Sequence, residues 1–114
     1  MNNPVKEDLV ELLREKKFKF IKSASMYVVE QIGNSLYTDG PEWKEQKPTI
    51  AEVVMWLYEK HGIWIESPFW DSKFRIKIVD TTKETVLRGI DFENFNSPTE
   101  AYEAAIEYTL NNLL

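Results

Sequence analysis

PTIAEVVMWLYEKHGIWIESPFW, residues 48–70, carries the strongest signals of secondary structure in the chain. Thr49 and Glu52 form a T-x-x-E arrangement, in which two side chains satisfy backbone N–H groups at the start of a helix. Apolar residues then recur at a spacing of three and four as far as Gly62. A glycine adopts the left-handed conformation that ends many helices, so the sequence predicts a helix over 50–61.

A strand is predicted to follow this helix without a loop. In GIWIES, Ile63 and Ile65 alternate with Trp64 and Glu66, which is the period-two pattern of a half-buried strand. Residues 67–71 are then predicted to form a turn on the surface.

Two further strands are predicted after that turn. The segment FRIKIVD, residues 74–80, alternates between apolar and charged residues and is expected to pair with the strand at 63–66. In this strand Phe74, Ile76 and Ile78 are expected to point inward, and Arg75 and Lys77 outward. Residues 85–90 give a weaker third strand, in which Gly89 suggests a bulge.

The last helix has the clearest start signal. Ser97, Pro98 and Glu100 occupy the N-cap, N1 and N3 positions that favour helix initiation. The apolar stripe expected to be buried consists of Ala101, Tyr102, Ala105, Ile106, Thr109, Leu110 and Leu113.

The N-terminal part is predicted to hold a helix and a short hairpin. Asn3-Pro4 is expected to cap a helix that ends near Lys17. Residues 26–32 suggest a strand, and Gly33-Asn34 a turn that folds Leu36-Tyr37 back. Residues 39–47 contain Gly, Pro and several charges and are predicted to be a linker, with Trp43 as a lid over the core or a contact residue.

The sequence thus predicts an α+β fold in a single domain, 1–114. The order is an N-terminal helix and hairpin (1–38), a linker (39–47), and a core (48–114) of helix, three-stranded antiparallel sheet and C-terminal helix. Both late helices are expected on one face of the sheet.

The order of elements in 48–114 resembles the double-stranded-RNA-binding domain, and SPTEAYEAAIEYTLNNL resembles its last helix. The resemblance implies a topology. It does not imply RNA binding, because that family opens this helix with lysines and here the positions hold Pro98, Thr99 and Glu100. The family's Gly-Pro-x-His loop would fall near residues 67–70, where no histidine occurs.

A second resemblance covers most of the chain. The segments LLREKKF, PTIAEVVMWLYEKHGI and SPTEAYEAAIEYTLNNL are similar to a group of small uncharacterised proteins carried by prophages and mobile elements of gut anaerobes. This resemblance implies a biological setting and no mechanism.

Composition narrows the class of protein. A chain of 114 residues can bury one core without crosslinks, and the absence of cysteine excludes disulfides and thiolate metal sites. The sequence shows neither a signal peptide nor an apolar run of roughly 18 residues, so neither secretion nor membrane spanning is predicted. The expected location is the cytoplasm.

Charge is unevenly distributed. The net charge is −5, and residues 48–114 hold all of the acidic excess, which disfavours binding of this part to nucleic acid. The alternative hypothesis, a divergent nucleic-acid-binding domain, rests on a basic cluster interleaved with Phe18, Phe20 and Ile21. The cluster consists of Arg14, Lys16, Lys17, Lys19 and Lys22. The favoured interpretation is that these cations complement the end of the first helix.

Signals of catalysis are weak. His61 is the only histidine, and it is predicted in the last turn of a helix, where it packs beside Ile63. Acid pairs at Glu66 and Asp71, or at Asp91 and Glu93, are expected by chance among nineteen carboxylates. We therefore predict that the protein is not an enzyme and uses no cofactor and no metal.

The remaining feature is a set of aromatic residues around the 67–71 turn. The predicted contact surface consists of Trp64, Phe69, Trp70, Arg75 and Lys77. Aromatic and arginine side chains often dominate interface energy, so this set predicts a binding or regulatory module that contacts an unidentified protein or itself. The competing interpretation is that the N-terminal helix and hairpin cover this face of the sheet.

Overall fold

In a computed structural model of the chain, the structure describes residues 3–25, 42–89 and 94–114. These residues form an α+β fold, which confirms the predicted class. The helices are α1 (Glu7–Glu15), α2 (Ile50–His61) and α3 (Pro98–Asn112). The strands are β1 (Lys22–Ser25), β2 (Glu42–Glu45), β3 (Ile63–Glu66), β4 (Phe69–Trp70), β5 (Lys73–Phe74), β6 (Lys77–Asp80) and β7 (Thr85–Arg88).

The predicted three-stranded antiparallel sheet is present and has the order β3-β6-β7. Trp64 pairs with Val79, which pairs in turn with Val86, so these three residues form one row across the sheet. The register between β6 and β7 shifts next to this row, which leaves Leu87 as the extra residue of a bulge.

A second ladder joins β1 to β2 in antiparallel register. The prediction that 39–47 is a linker is therefore wrong for Glu42–Glu45, because this segment makes main-chain pairs with Lys22–Ser25. The hairpin predicted within 26–37 lies outside the described residues.

The helix ends of the 48–114 region agree with the sequence signals. The Thr49 hydroxyl accepts a hydrogen bond from the Glu52 main-chain N, and the Ser97 hydroxyl accepts one from the Glu100 main-chain N. Gly62 ends α2 with a φ of 67°. Its N–H donates to carbonyls of the last turn of α2, as a left-handed C-terminal cap requires.

The predicted start of the first helix is wrong. α1 begins at Glu7, after Lys6, and no side chain caps it. Asn3-Pro4 instead continues as an extended segment beside the start of α2: Pro4 bridges to Thr49, and the Val5 N–H donates to the Pro48 carbonyl.

One core lies between the helices and the inner face of the sheet, where α2 and α3 pack on each other and both contact β3. Its fully buried members include Leu9, Leu13, Ile50, Leu57, Ile65, Ile76, Ile78, Ile106 and Leu110. α1 packs against α3, on the helical side of the sheet. The interpretation that the first helix covers the outer sheet face is therefore wrong, and the residues of its predicted hairpin lie outside the described part.

Candidate protein-contact surface

A β-hairpin with a two-residue loop lies where the sequence predicted a turn, at residues 67–71. β4 pairs with β5, and the connecting residues Asp71 and Ser72 have φ of 52° and 61°, the positive values that a type I′ turn requires. Phe69 and Trp70 lie on the first strand and are 64% and 66% exposed. The expectation that Trp70 is accessible to solvent is confirmed.

Hydrogen bonds hold this hairpin to the rest of the fold. Phe74 and Phe95 exchange two main-chain hydrogen bonds of 3.1 and 2.9 Å. Lys73 Nζ donates to Asn96 Oδ1 over 2.9 Å, which gives the second strand a further tie to the segment before α3. The exposed aromatic rings thus stand on a fixed backbone. The sequence contained no local signal for the Phe95 and Asn96 contacts, because both depend on a distant segment.

Arg75 does not face outward on a strand as predicted. Its residue is 8% exposed, and it lies in the break between β5 and β6. The alternation predicted for 74–80 fails here because Phe74 pairs with Phe69 and Phe95 rather than with β3. From this position Arg75 donates its main-chain N–H to the Pro68 carbonyl over 2.8 Å. This hydrogen bond joins the residue before β4 to the residue after β5, and so closes the base of the hairpin.

Trp64 lies on the outer side of the sheet and is half-buried. Its ring meets the edge of Tyr58 at a centroid distance of 5.7 Å, and its Nε1 donates to Glu66 Oε1 over 3.2 Å. The cross-strand neighbour of Trp64 is Val79, whereas Lys77 pairs with Glu66. The predicted stacking of Trp64 on Arg75 or Lys77 is therefore replaced by contacts with an aromatic and an aliphatic residue.

The row Trp64, Val79 and Val86 gives the outer face of the sheet an apolar stripe, which we call the outer row. Trp64 and Val79 are half-buried, and Val86 is 56% exposed. Lys77 is half-buried beside the stripe. The outer row was not predicted as a unit, because the sequence does not show which residues of β6 and β7 stand opposite each other.

The basic cluster of the alternative hypothesis is partly engaged within the protein. Arg14 makes two hydrogen bonds with the Glu45 carboxylate, of 3.2 and 2.5 Å, and these raise the pKa of the guanidinium. Lys16 Nζ donates to the main-chain oxygen of Leu114 over 3.2 Å. Lys17 and Lys19 are exposed, and the side chain of Lys22 lies outside the described residues.

The described residues show few arrangements of side chains that are typical of a catalytic site. His61 ends α2 as predicted, and its ring packs edge-on against Trp56 at 4.9 Å. Within 3–25, 42–89 and 94–114, no group of three or more histidine, aspartate or glutamate side chains could hold a metal ion. The predicted acid pair of Asp91 and Glu93 lies outside these residues.

Comparisons of the chain with protein-family models, with curated proteins and with solved structures give no match. The resemblances to the double-stranded-RNA-binding domain and to mobile-element proteins therefore stay predictions. Among the described helices, none has the length and apolar character needed to cross a membrane.

Proposed function

We propose that the protein is a non-enzymatic protein-binding or regulatory module, and that Phe69 and Trp70 contact its partner. The observation that carries this proposal is the exposure of two large aromatic side chains on a hairpin whose backbone is fixed. The setting we propose is the cytoplasm, in a protein of phage or mobile-element origin.

Physical chemistry supports a role in binding. An aromatic ring that stays in water loses about 2 kcal/mol of favourable burial. The exposure of two adjacent aromatic residues is therefore unfavourable unless a partner covers them. Tryptophan is enriched among the residues that contribute most to interfaces. The hydrogen bonds that hold the hairpin reduce the entropy lost on binding, because little backbone needs to be ordered. The outer row gives the sheet a second group of partly exposed apolar residues.

The proposal is tested with the variant Trp70→Ala. We expect a free energy of unfolding within about 0.5 kcal/mol of wild type, since the ring is mostly exposed. We also expect Trp70→Ala to lose an interaction that the wild type makes. If the partner is a second copy of the chain, concentration-dependent self-association is lost. If it is another protein, the variant no longer retains the specific proteins that the wild type captures from a lysate and crosslinks at position 69. Met55→Ala, which removes an exposed apolar side chain of α2 outside the hairpin and the outer row, serves as the control.

A destabilisation of roughly 3 kcal/mol or more by Trp70→Ala would show that the ring is a core element, and the contact surface would be withdrawn. Equal retention of partners by wild type and Trp70→Ala would also contradict the proposal. The alternative, binding of nucleic acid through the basic cluster, has less support because Arg14 and Lys16 already have partners within the protein.

A further inference from the structure

A cleft of about 580 Å³ opens in a region that shares no residue with the proposed contact surface. It lies where the C-terminal ends of α1, α2 and α3 meet the turn between β6 and β7. Its lining residues are Glu15, Lys16, Lys17, His61, Ile63, Asp80, Lys83, Leu87, Leu113 and Leu114. Clefts that hold small molecules in proteins commonly have volumes of 300 to about 1,000 Å³.

The walls of the cleft are apolar. Ile63 is buried, Leu113 and Leu114 are half-buried, and Leu87 is 37% exposed. Leu87 reaches the cleft because it is the extra residue of the bulge in β7, which redirects its side chain. The polar part of the lining consists of Lys16, Lys17, Lys83 and His61, together with the carboxylates of Glu15 and Asp80.

Three helix C-termini would by themselves favour a bound cation. Here each helix end already has a main-chain donor for one of its carbonyl groups: the Phe18 N–H at the end of α1, the Gly62 N–H at the end of α2, and the Leu113 N–H at the end of α3. The Asp80 carboxylate keeps its negative charge, and its Oδ1 accepts hydrogen bonds from the hydroxyl of Thr82 over 2.7 Å and from two main-chain N–H groups of the same turn. The charge of Lys83 also acts on this carboxylate.

Lysines outnumber carboxylates in the lining by three to two, since Lys16, Lys17 and Lys83 stand against Glu15 and Asp80. Lys16 is already bonded to Leu114, which leaves Lys17 and Lys83. Neither lysine has an ion pair within the described residues. The position of Lys17 is notable because its φ is 65°, in the left-handed region where glycine would meet no steric penalty. Lys17 thus lines the cleft with a main-chain conformation that is unfavourable for a residue other than glycine.

From this arrangement we infer that the cleft binds a small amphipathic anion, with an apolar chain or ring against Leu87, Leu113 and Leu114 and a carboxylate or similar group between Lys17 and Lys83. The inference is independent of the proposed contact surface, because the two regions share no residue.

Binding can be measured by NMR from the ring signals of His61, which lines the cleft. His61 is the single histidine of the chain, so its signals cannot be confused with those of another histidine. The probes are decanoate, decanol and decyltrimethylammonium, which share an alkyl chain and differ in charge. We expect decanoate to shift the His61 signals in a saturable manner, decanol to shift them with weaker affinity, and decyltrimethylammonium to leave them unchanged. Equal affinity for all three probes, or no saturable shift with decanoate, would overturn the inference.

Lys17→Gly tests the charge of Lys17 with the least risk to the fold. Glycine suits a φ of 65°, so the fold is expected to be kept or stabilised. We expect it to weaken decanoate binding about tenfold, the usual size of one charge-assisted contact, and Lys83→Gln to act similarly. Lys60→Gln is the matched control, as Lys60 is exposed in the last turn of α2 but does not line the cleft. Equal binding by Lys17→Gly and wild type would refute the assigned role of Lys17.

Discussion

Arg75 and Trp70 are joined by a hydrogen bond of 3.4 Å, which the Nε of the buried Arg75 donates to the main-chain oxygen of Trp70. A buried cation thus supports the backbone of an exposed ring. We predict that Arg75→Ala lowers the free energy of unfolding by about 1 to 3 kcal/mol, because it removes a buried donor and its apolar stem. Urea unfolding measures this loss. A value as small as that of Trp70→Ala would show that the hairpin does not depend on Arg75.

The N-cap of α3 gives a second prediction. The Ser97 hydroxyl accepts from the Glu100 N–H over 3.2 Å, so Ser97→Ala leaves a helix N–H without its acceptor. The expected cost is about 1 kcal/mol, measured by thermal or urea unfolding. Asn111→Ala, at an exposed position near the other end of α3, serves as the control. A melting curve of Ser97→Ala that coincides with wild type would contradict the prediction.

Gly62 is doubly constrained, by its φ of 67° and by its neighbour Thr82. A Cβ at position 62 would lie 2.9 Å from Thr82 Cγ2. We predict that Gly62→Ala destabilises the protein by about 1 to 2 kcal/mol from the backbone conformation, with a further loss from the contact. Thr82→Ser removes the methyl group and keeps the hydroxyl.

The double variant Gly62→Ala with Thr82→Ser separates the two causes. It should recover the loss due to the contact and retain the loss due to the backbone, as a double-mutant cycle of unfolding free energies reports. Additive effects of the two substitutions would show that the methyl group yields without cost.

Asp80 gives a prediction about pH. The hydroxyl of Thr82, followed by the main-chain N–H of Lys83, lowers the pKa of the Asp80 carboxyl. A carboxyl whose folded pKa lies below its unfolded value contributes stability above the unfolded pKa, and this contribution is lost as the pH falls through the folded pKa. Thr82→Val should therefore raise the pKa of Asp80, and its destabilisation should disappear on acidification.

The pKa of Asp80 can be followed by NMR of its carboxyl carbon. Thr82→Ser is the control, because it keeps the hydroxyl and should leave the pKa low. A low pKa in Thr82→Val would show that the main-chain donors suffice.

The last prediction concerns nucleic acid. We expect no appreciable binding of duplex RNA or DNA at physiological salt, because the chain has a net charge of −5 and α3 opens with Glu100. An anisotropy titration tests this. Micromolar binding that weakens steeply with salt, and that is lost when Lys16, Lys17 and Lys19 are changed to glutamate, would favour the alternative function.

Features set by neighbours in sequence could be predicted. The start of α2 at Thr49, its end at Gly62 and the start of α3 at Ser97 each depend on contacts within a few residues, and all three are confirmed. The alternation in β3 likewise predicted which side of the strand is buried.

Pairing between distant segments could not be predicted. The composition of Glu42–Glu45 indicates a linker, yet β1 provides hydrogen-bond partners for its backbone. In the same way, the alternation of 74–80 does not show that Phe74 would pair with Phe95, which ends the regular strand and turns Arg75 inward. The predicted contact surface therefore retained Phe69 and Trp70 as exposed residues and lost Arg75.

The attachment of α1 to α3 has a consequence for the order of events during synthesis. Asn3 and Thr99, whose side chains are hydrogen-bonded, are 96 residues apart. At a translation rate of about 5 to 20 residues per second, α1 waits roughly 5 to 20 s for α3 to be made. During that interval Leu9 and Leu13 lack one of their packing partners, so the nascent chain exposes an apolar helix face that a chaperone can recognise.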